Sequence, residues 1–374
     1  MVLQPITTKK LAQKMLANDE MFLLDIRSED DYEDWSIQGE NIHSFNIPYQ
    51  QLEEKTTYMK EQVPADQTLY VVCARGISSQ KGADMLEKAG LKNVTHLEGG
   101  MKAWSEHLEP VKLGNISEKT EFYQFIRIGK GCLSYMILSE EKAAVIDAVR
   151  MTKTYQNFAK EKGVSINTVI DTHLHADHIS GGKTLAEETD ADYYFPGKDD
   201  EGLTFSYQEL NDGVTISVGK FVDITAFYSP GHTIGSTSLL VNKHYIMTGD
   251  TLFIESIGRP DLAGKAEDWV EDLHETLYHR YKQLSSDLIV LPGHFGSIEE
   301  INQNGTIESQ LKELYRKNEL LQIEDKQTFI KQVTDNLAEQ PKSHEQIREI
   351  NMGQSNPKEE EREEMEIGPN RCAV

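Results

Sequence analysis

Cysteine is scarce in this chain: it occurs three times in 374 residues, as Cys73, Cys132 and Cys372, far apart and odd in number. That pattern excludes a disulfide framework and fits a reducing cytoplasm, so each thiol has to be read on its own. Positive charge is short as well. The 38 Lys and Arg face 62 Asp and Glu, for a formal net charge of −24 and a pI near 4.9. Binding a phosphate backbone needs clustered cations, so nucleic acid is excluded as a partner and an anionic membrane surface is disfavoured. A small anionic substrate would need a local positive pocket. Long apolar runs are missing too: none approaches the ~20 residues that span a bilayer. Met1 to Lys10 lacks the basic-then-apolar layout of a secretory signal. The expected setting is the cytoplasm, away from membranes.

What is present is enough apolar surface, 38% of residues, for two packed cores, and the length favours two domains. The first stretch alternates strand and helix: Met21 to Asp25, Leu69 to Cys73, a helix from Gly76 to Ala89 ended by Gly90, then Val94 to Leu97. Such alternation predicts an α/β unit with a parallel sheet. Leu108 to Lys119 reads as a polar connector. Phe122 to Ile128, Leu133 to Leu138 and Ala143 to Asp147 then predict new strands, and elements continue to about Leu337. The expected domains are 1–112 and 118–340, followed by an acidic tail, 341–374. Its run Lys358 to Glu366 reads as solvated.

Five histidines in the second half share one local grammar, in which an apolar run ends, the chain turns and a metal-ligating residue follows. Thr168-Val169-Ile170 leads to His173-Leu174-His175-Ala176-Asp177-His178, and Ala226-Phe227-Tyr228 leads to Pro230-Gly231-His232. Tyr245-Ile246-Met247 leads to Gly249-Asp250, and Leu288-Ile289-Val290 to Pro292-Gly293-His294. Strand ends at one sheet edge would bring these ligands together. In an extended segment His173 and His175 project to the same side, and Asp177 and His178 can start the next turn. Imidazole with carboxylate suits zinc or iron, and two His plus one carboxylate is the facial set of non-haem iron.

These residues resemble the full signature of the metallo-β-lactamase superfamily over roughly Thr120 to Leu337, which implies an αββα sandwich with metal at one edge. The glutamate-bearing flavodiiron variant does not fit, because position 175 is His. Glyoxalase II-like thioesterases share every ligand, so the superfamily alone does not give the reaction. Gly258-Arg259-Pro260-Asp261-Leu262 is similar to the segment that follows the ligand aspartate in persulfide dioxygenases, as is Gly131-Cys132-Leu133-Ser134-Tyr135 to their early strand. That resemblance implies one Fe(II) per chain on His173, His232 and Asp250. His175, Asp177, His178 and His294 would surround it or line a second, vacant metal position. Arg259 would hold a thiol's carboxylate or orient Asp261; otherwise it is a surface Arg paired to Asp261.

Cys73-Ala74-Arg75-Gly76-Ile77-Ser78-Ser79 lies between a strand and a helix, where backbone N–H groups favour a thiolate or the outer sulfur of a persulfide. Asp25-Ile26-Arg27 with Tyr32, Asn46-Ile47-Pro48, this loop, and Leu97-Glu98-Gly99-Gly100-Met101-Lys102-Ala103-Trp104 resemble a single rhodanese domain over residues 5–108. Asp34-Trp35-Ser36-Ile37-Gln38-Gly39 departs from the usual Gly-His-Ile-x-Gly. Ser79 stands where rhodanese-fold phosphatases carry Arg. The resemblance implies sulfur transfer through Cys73, with Arg75, Gly76 and Ser78 meeting thiosulfate, sulfite or a thiol. Cys132 reads as core, and Cys372 as an inert thiol rather than a persulfide relay.

Together these resemblances imply a sulfurtransferase joined to an iron dioxygenase that uses O2 to oxidise a low-molecular-weight thiol persulfide to sulfite. The alternative is a dinuclear zinc thioester hydrolase joined to a rhodanese. A homo-oligomer is compatible with either.

Overall fold

Every residue of Met21–Asp25 (β1) is buried, the pattern of a strand covered on both faces. With Ile42–Asn46 (β2), Leu69–Val72 (β3) and Val94–His96 (β4) it forms a four-stranded sheet of order β2-β1-β3-β4, parallel throughout. Helix Ile77–Lys88 returns the chain from β3 to β4, and helix Gly100–Glu106 follows β4. Strand β2 has no counterpart among the sequence expectations, because its residues are only half-buried and no apolar run marks it. The computed structural model describes residues 4–261, 266–335, 337 and 343–368, and no side chains at 266–268. Leu262 and Cys372 lie outside the described residues.

The expected polar connector contains a strand, Glu109–Gly114 (β5), which pairs antiparallel with Thr120–Arg127 (β6), Val111 opposite Gln124. Sheet pairing therefore moves the boundary of the first unit back from 112 to before Glu109. Cys132–Ser139 (β7), Lys142–Ile146 (β8), Ser165–Ile170 (β9), Asp192–Phe195 (β10) and Gln208–Glu209 (β11) complete a seven-stranded sheet, order β11-β10-β9-β8-β7-β6-β5. A second sheet of order β12-β13-β14-β15-β16-β17 contains Thr215–Val218 (β12), Val222–Tyr228 (β13), Thr237–Val241 (β14), Tyr245–Gly249 (β15), Ile289–Pro292 (β16) and Ser309–Gln310 (β17). Phe122, Ile137 and Ala144 of the first sheet meet Ile224, Leu239, Met247 and Leu291 of the second in one core. Tyr155, Ala159 and Leu185 cover the outer face of the first sheet, and Leu273 and Leu277 that of the second. This is the αββα sandwich expected from the sequence. β8 runs parallel to β9 and β15 to β16, and β13 has the direction of β15, so their carboxyl ends share one edge.

The expectation of a solvated run holds for most of Lys358–Glu366, since Glu359–Met365 buries no residue, and fails at Glu366. Helices His344–Asn351 and Glu359–Met365 fold back as a strap across that edge. Asn351 Nδ2 donates to the carbonyls of His175 and His178, both at 2.9 Å, and Asn351 Oδ1 accepts Ser180 N at 2.9 Å. Glu366 is fully buried; its Oε1 accepts from Ile179 N and from Arg127 Nη1, each at 3.0 Å, and its Oε2 pairs with Arg150 Nε. Lys130 Nζ reaches the Glu366 carbonyl at 3.2 Å. The same cations reach the first unit: Arg127 Nε donates to Ser105 O at 2.5 Å and Arg150 Nη2 pairs with Glu106 at 2.7 Å. No residue of the Glu-rich run announces this, because Arg127 and Arg150 are over two hundred positions away.

Burial would raise the Glu366 carboxyl, but Arg127 and Arg150 outweigh it and hold it down to about 2. A carboxylate depressed in the folded state stabilises fully above its ordinary range, and the contribution fades as pH falls toward the folded value. Glu366→Gln leaves the buried Arg127 guanidinium without its carboxylate and takes one of three from Arg150, which keeps Glu106 and Glu359; the loss is about 3 kcal/mol at neutral pH. In urea unfolding, the gap between wild type and Glu366→Gln is expected to be largest at neutral pH and to close between about pH 5 and pH 2. Equal midpoints at neutral pH would show that the network carries no stability.

Candidate metal centre and sulfur-binding loop

The Cys73 sulfur sits in a cup of donors. Gly76 N and Ser79 N each point to Sγ at 3.2 Å, and Ser79 Oγ lies 3.2 Å away. Gly76 opens helix Ile77–Lys88 with φ +82°. Behind the loop, Met101 N donates to Cys73 O at 2.9 Å and Lys102 N to Ala74 O at 3.0 Å. A Cβ on Gly100 (φ +60°) would come within 2.1 Å of Cys73 O, so the Gly99-Gly100 pair is what lets that helix brace the loop. Arg75 and Ser78 are exposed at the rim, while Gly76 is buried with its N–H on the sulfur. Ser79, read in the sequence only as the missing Arg of a phosphatase, supplies two of the contacts. An anionic outer sulfur on Cys73 would meet this cup and the Arg75 guanidinium.

At the sheet edge, His173 follows β9, His232 follows β13 and Asp250 follows β15. Their ligand atoms converge, all three side chains being at most 2% exposed. His173 Nε2 and His232 Nε2 lie 3.7 and 3.6 Å from Asp250 Oδ2, and none of these three atoms has a hydrogen-bond partner. Two ligands each about 2.1 Å from one metal, at tetrahedral to trigonal angles, stand about 3.4–3.6 Å apart. The triad therefore fits a metal ion without rearrangement. The far sides of both rings are fixed: His173 Nδ1 donates to Thr172 Oγ1 at 2.9 Å, and His232 Nδ1 donates to Arg259 O at 2.8 Å. Such backing sets the tautomer that presents Nε2. Gly249 (φ +49°) allows the close approach, since a Cβ there would meet Thr172 Oγ1 at 2.6 Å.

His175 is turned elsewhere. Its ring lies 4.2 Å from that of His173, but its ligand atom groups with Asp147 and Asp171, and its Nε2 is 3.3 Å from Asp147 Oδ1. Asp147 holds a left-handed backbone (φ +51°), stabilised by Thr172 N at 2.8 Å and Thr172 Oγ1 at 3.0 Å on its carboxylate. Asp177, His178 and His294 form a separate group with Cys132. Arg259 is 1% exposed, so it is not a surface side chain; its Nε and Nη2 hold the two Asp261 oxygens at 2.7 and 2.8 Å.

Charge follows this geometry. Burial, helped by the His175 ring, holds the His173 imidazole well below its ordinary range, and burial lowers His232 too, so both present neutral nitrogen. Burial would raise Asp250, but His294 and His173 outweigh it and keep the carboxylate ionised. Burial also pushes the Cys132 thiol up, yet His294 and His178 beside it bring it down to about 6. Cys132 is core, as expected, but its sulfur faces the ligand cluster. Sequence reasoning missed this, and missed Asp147, Asp171, Asn351 and Glu366. Asp147 ends an apolar strand like the other ligands, so that signal was there; nothing local marks Asn351 or Glu366.

Residues 8–107 match the rhodanese-like domain model and residues 127–294 the metallo-beta-lactamase superfamily model. A probable hydroxyacylglutathione hydrolase of Schizosaccharomyces pombe is 29% identical over 169 residues, 43% of this chain and 62% of that protein. The mitochondrial persulfide dioxygenase ETHE1 of Bos taurus is 30% identical over 175 residues, 44% of this chain and 65% of that one. The chain thus spans less than two thirds of either relative. A metallo-beta-lactamase structure from Staphylococcus aureus subsp. aureus COL superposes with TM-score 0.58 at 25% identity, covering 64% of this chain and 74% of the other. The fold of ETHE1 from Myxococcus xanthus superposes with TM-score 0.55 at 23% identity, covering 63% and 99%.

The geometry predicts unequal effects within the histidine set. His232→Ala is expected to weaken metal binding by well over 100-fold, and His175→Ala by about tenfold, the size of an outer contact. Competition against a chelator under anaerobic conditions measures both. Equal losses would mean that both rings bind the same ion.

Proposed function

Because the chain carries a rhodanese-like domain followed by a metallo-beta-lactamase superfamily domain, we propose that it couples sulfane-sulfur transfer at Cys73 to oxidation of a thiol persulfide at a single Fe(II). One observation carries the choice. His173, His232 and Asp250 converge as a group of three while His175 turns to Asp147, a partition that suits one ion with open positions. A dinuclear hydrolase would draw His175 into the same centre as His173 and His232. Relatives named for each chemistry match at similar identity, so the ligand partition and the attached Cys73 domain are the discriminating support.

In the transfer step, the Cys73 thiolate attacks the outer sulfur of thiosulfate; the S–S bond breaks with its electron pair on sulfite, and the outer sulfur stays on Cys73 as a persulfide. Gly76 N and Ser79 N donate to the negative sulfur, and exposed Arg75 draws the dianion to the loop. A low-molecular-weight thiol then takes the outer sulfur and restores the Cys73 thiolate. The same bonds run in reverse when sulfite is the acceptor.

In the oxidation, persulfide, O2 and water give thiol, sulfite and two protons. Iron, when bound, would supply the redox step that zinc, with no redox change, does not. His173 and His232 would hold an iron through Nε2 and Asp250 through its carboxylate; Thr172 and the Arg259 carbonyl keep those rings from turning, and His294 Nδ1 holds Asp250 Oδ1 at 2.7 Å. Arg259, locked onto Asp261, fixes the carbonyl behind His232.

Iron-loaded protein handled anaerobically should consume O2 only when persulfide is added. Persulfide-independent uptake, or no uptake together with thioester hydrolysis by zinc-loaded protein, would overturn the reading. Cys73→Ser should abolish sulfur transfer from thiosulfate while oxidation of supplied persulfide falls less than about twofold, the loop being outside the ligand set. Joint loss of both activities would mean an obligatory relay through Cys73.

A further inference from the structure

His232 is reached through Ser229-Pro230-Gly231, which lies beyond the end of β13. Glycine is required at 231 (φ +142°), because a Cβ would come within 2.4 Å of Leu273 Cα. The freedom that glycine brings would leave the next residue loosely placed unless the peptide before it is fixed. Pro230 has no N–H, so its carbonyl is the only backbone group it offers. Three successive carbonyls are each taken by a side chain: Tyr228 O by Arg280 Nη1 at 3.1 Å, Ser229 O by Thr251 Oγ1 at 3.2 Å, and Pro230 O by Thr276 Oγ1 at 2.7 Å. Gly231 N donates to Thr233 O at 3.0 Å, so the peptide between Pro230 and Gly231 is held at both its oxygen and its nitrogen.

Two of those three donors come from one unusual turn. After helix Ala266–Glu275 the chain widens into a π-helical turn, Thr276–Arg280, in which Tyr281 N donates to Thr276 O five residues back. Such turns are rare and concentrate at functional sites. Arg280 and Tyr281, neighbours in sequence, both face the end of β13: Tyr281 OH lies 2.7 Å from Ser238 Oγ, itself 2.8 Å from Ser229 Oγ. We propose that this turn is a positioning element of the metal centre, and that the fully buried Thr276 hydroxyl, through the Pro230 carbonyl, sets where His232 stands. The Arg259 carbonyl fixes how the His232 ring is turned, and Thr276 fixes the backbone that carries it. Such outer contacts tune a metal site without touching the ion. The inference stands whether the centre oxidises a persulfide at one ion or hydrolyses a thioester at two, since His232 serves both.

The test uses two substitutions in the full-length protein. Thr276→Val keeps the shape of the side chain and removes the donor, whereas Thr276→Ser keeps the hydroxyl. Competition against a chelator gives zinc affinity, and the visible bands of cobalt(II)-loaded protein report the geometry of the ligands. Thr276→Val should bind zinc about tenfold more weakly with shifted cobalt bands, and Thr276→Ser should stay within about twofold of wild type. A role confined to stability would lower the Tm of the metal-free protein and leave affinity and bands unchanged. Because Thr276→Val buries an unpaired carbonyl and can fail to fold, Arg280→Met, at a half-buried position, supplies a second readout, with severalfold weaker binding expected. Wild-type affinity in Thr276→Val, equal losses in the Val and Ser variants, or wild-type affinity in Arg280→Met where Thr276→Val does not fold overturns the proposal.

Discussion

Three buried atoms, His173 Nε2, His232 Nε2 and Asp250 Oδ2, face one another with nothing else to bond. Leaving a polar atom buried and unpaired costs about 1–3 kcal/mol, more for a charged one, so the arrangement is unfavourable unless a cation sits among them. Much of the second unit can be understood as the means of holding those atoms there. The strand ends deliver them to one edge, Gly249 permits the tight approach of Asp250 to the His173 segment, and hydrogen bonds to Thr172 and the Arg259 carbonyl aim the rings.

The strap adds a constraint from outside the sheets. Asn351 and Glu366 tie down the backbone of residues 175–180, the turn that carries His175, Asp177 and His178. The cations that hold Glu366 also bond Ser105 and Glu106, on the helix whose first turn supports the Cys73 loop. The metal edge and the sulfur loop therefore share one buried ionic network, although their reactive atoms belong to different domains.

Most of this architecture was legible in the sequence where a local pattern carried it. Wholly apolar strands, the Cys73 loop between strand and helix, and ligands placed just past strand ends all depend on neighbouring residues. What escaped depends on distant ones. The edge strand Glu109–Gly114 is defined by its pairing with β6 and not by its own composition. Glu366 sits in a run of acids and differs from them in being fully buried against both Arg127 and Arg150. Cys132 carries the apolar pattern of its strand, and only the register with His294 reveals its second face. The split between His173 and His175 likewise follows from Asp147, whose left-handed backbone aims its carboxylate at the second ring.

The central claim is a single iron held by three side chains, and anomalous diffraction at the iron edge from anaerobically iron-loaded crystals tests it most directly. The account predicts one iron peak per chain, about 2.0–2.2 Å from His173 Nε2, His232 Nε2 and a carboxylate oxygen of Asp250. A peak also bonded to His175, or two iron peaks on either side of Asp250, would contradict it.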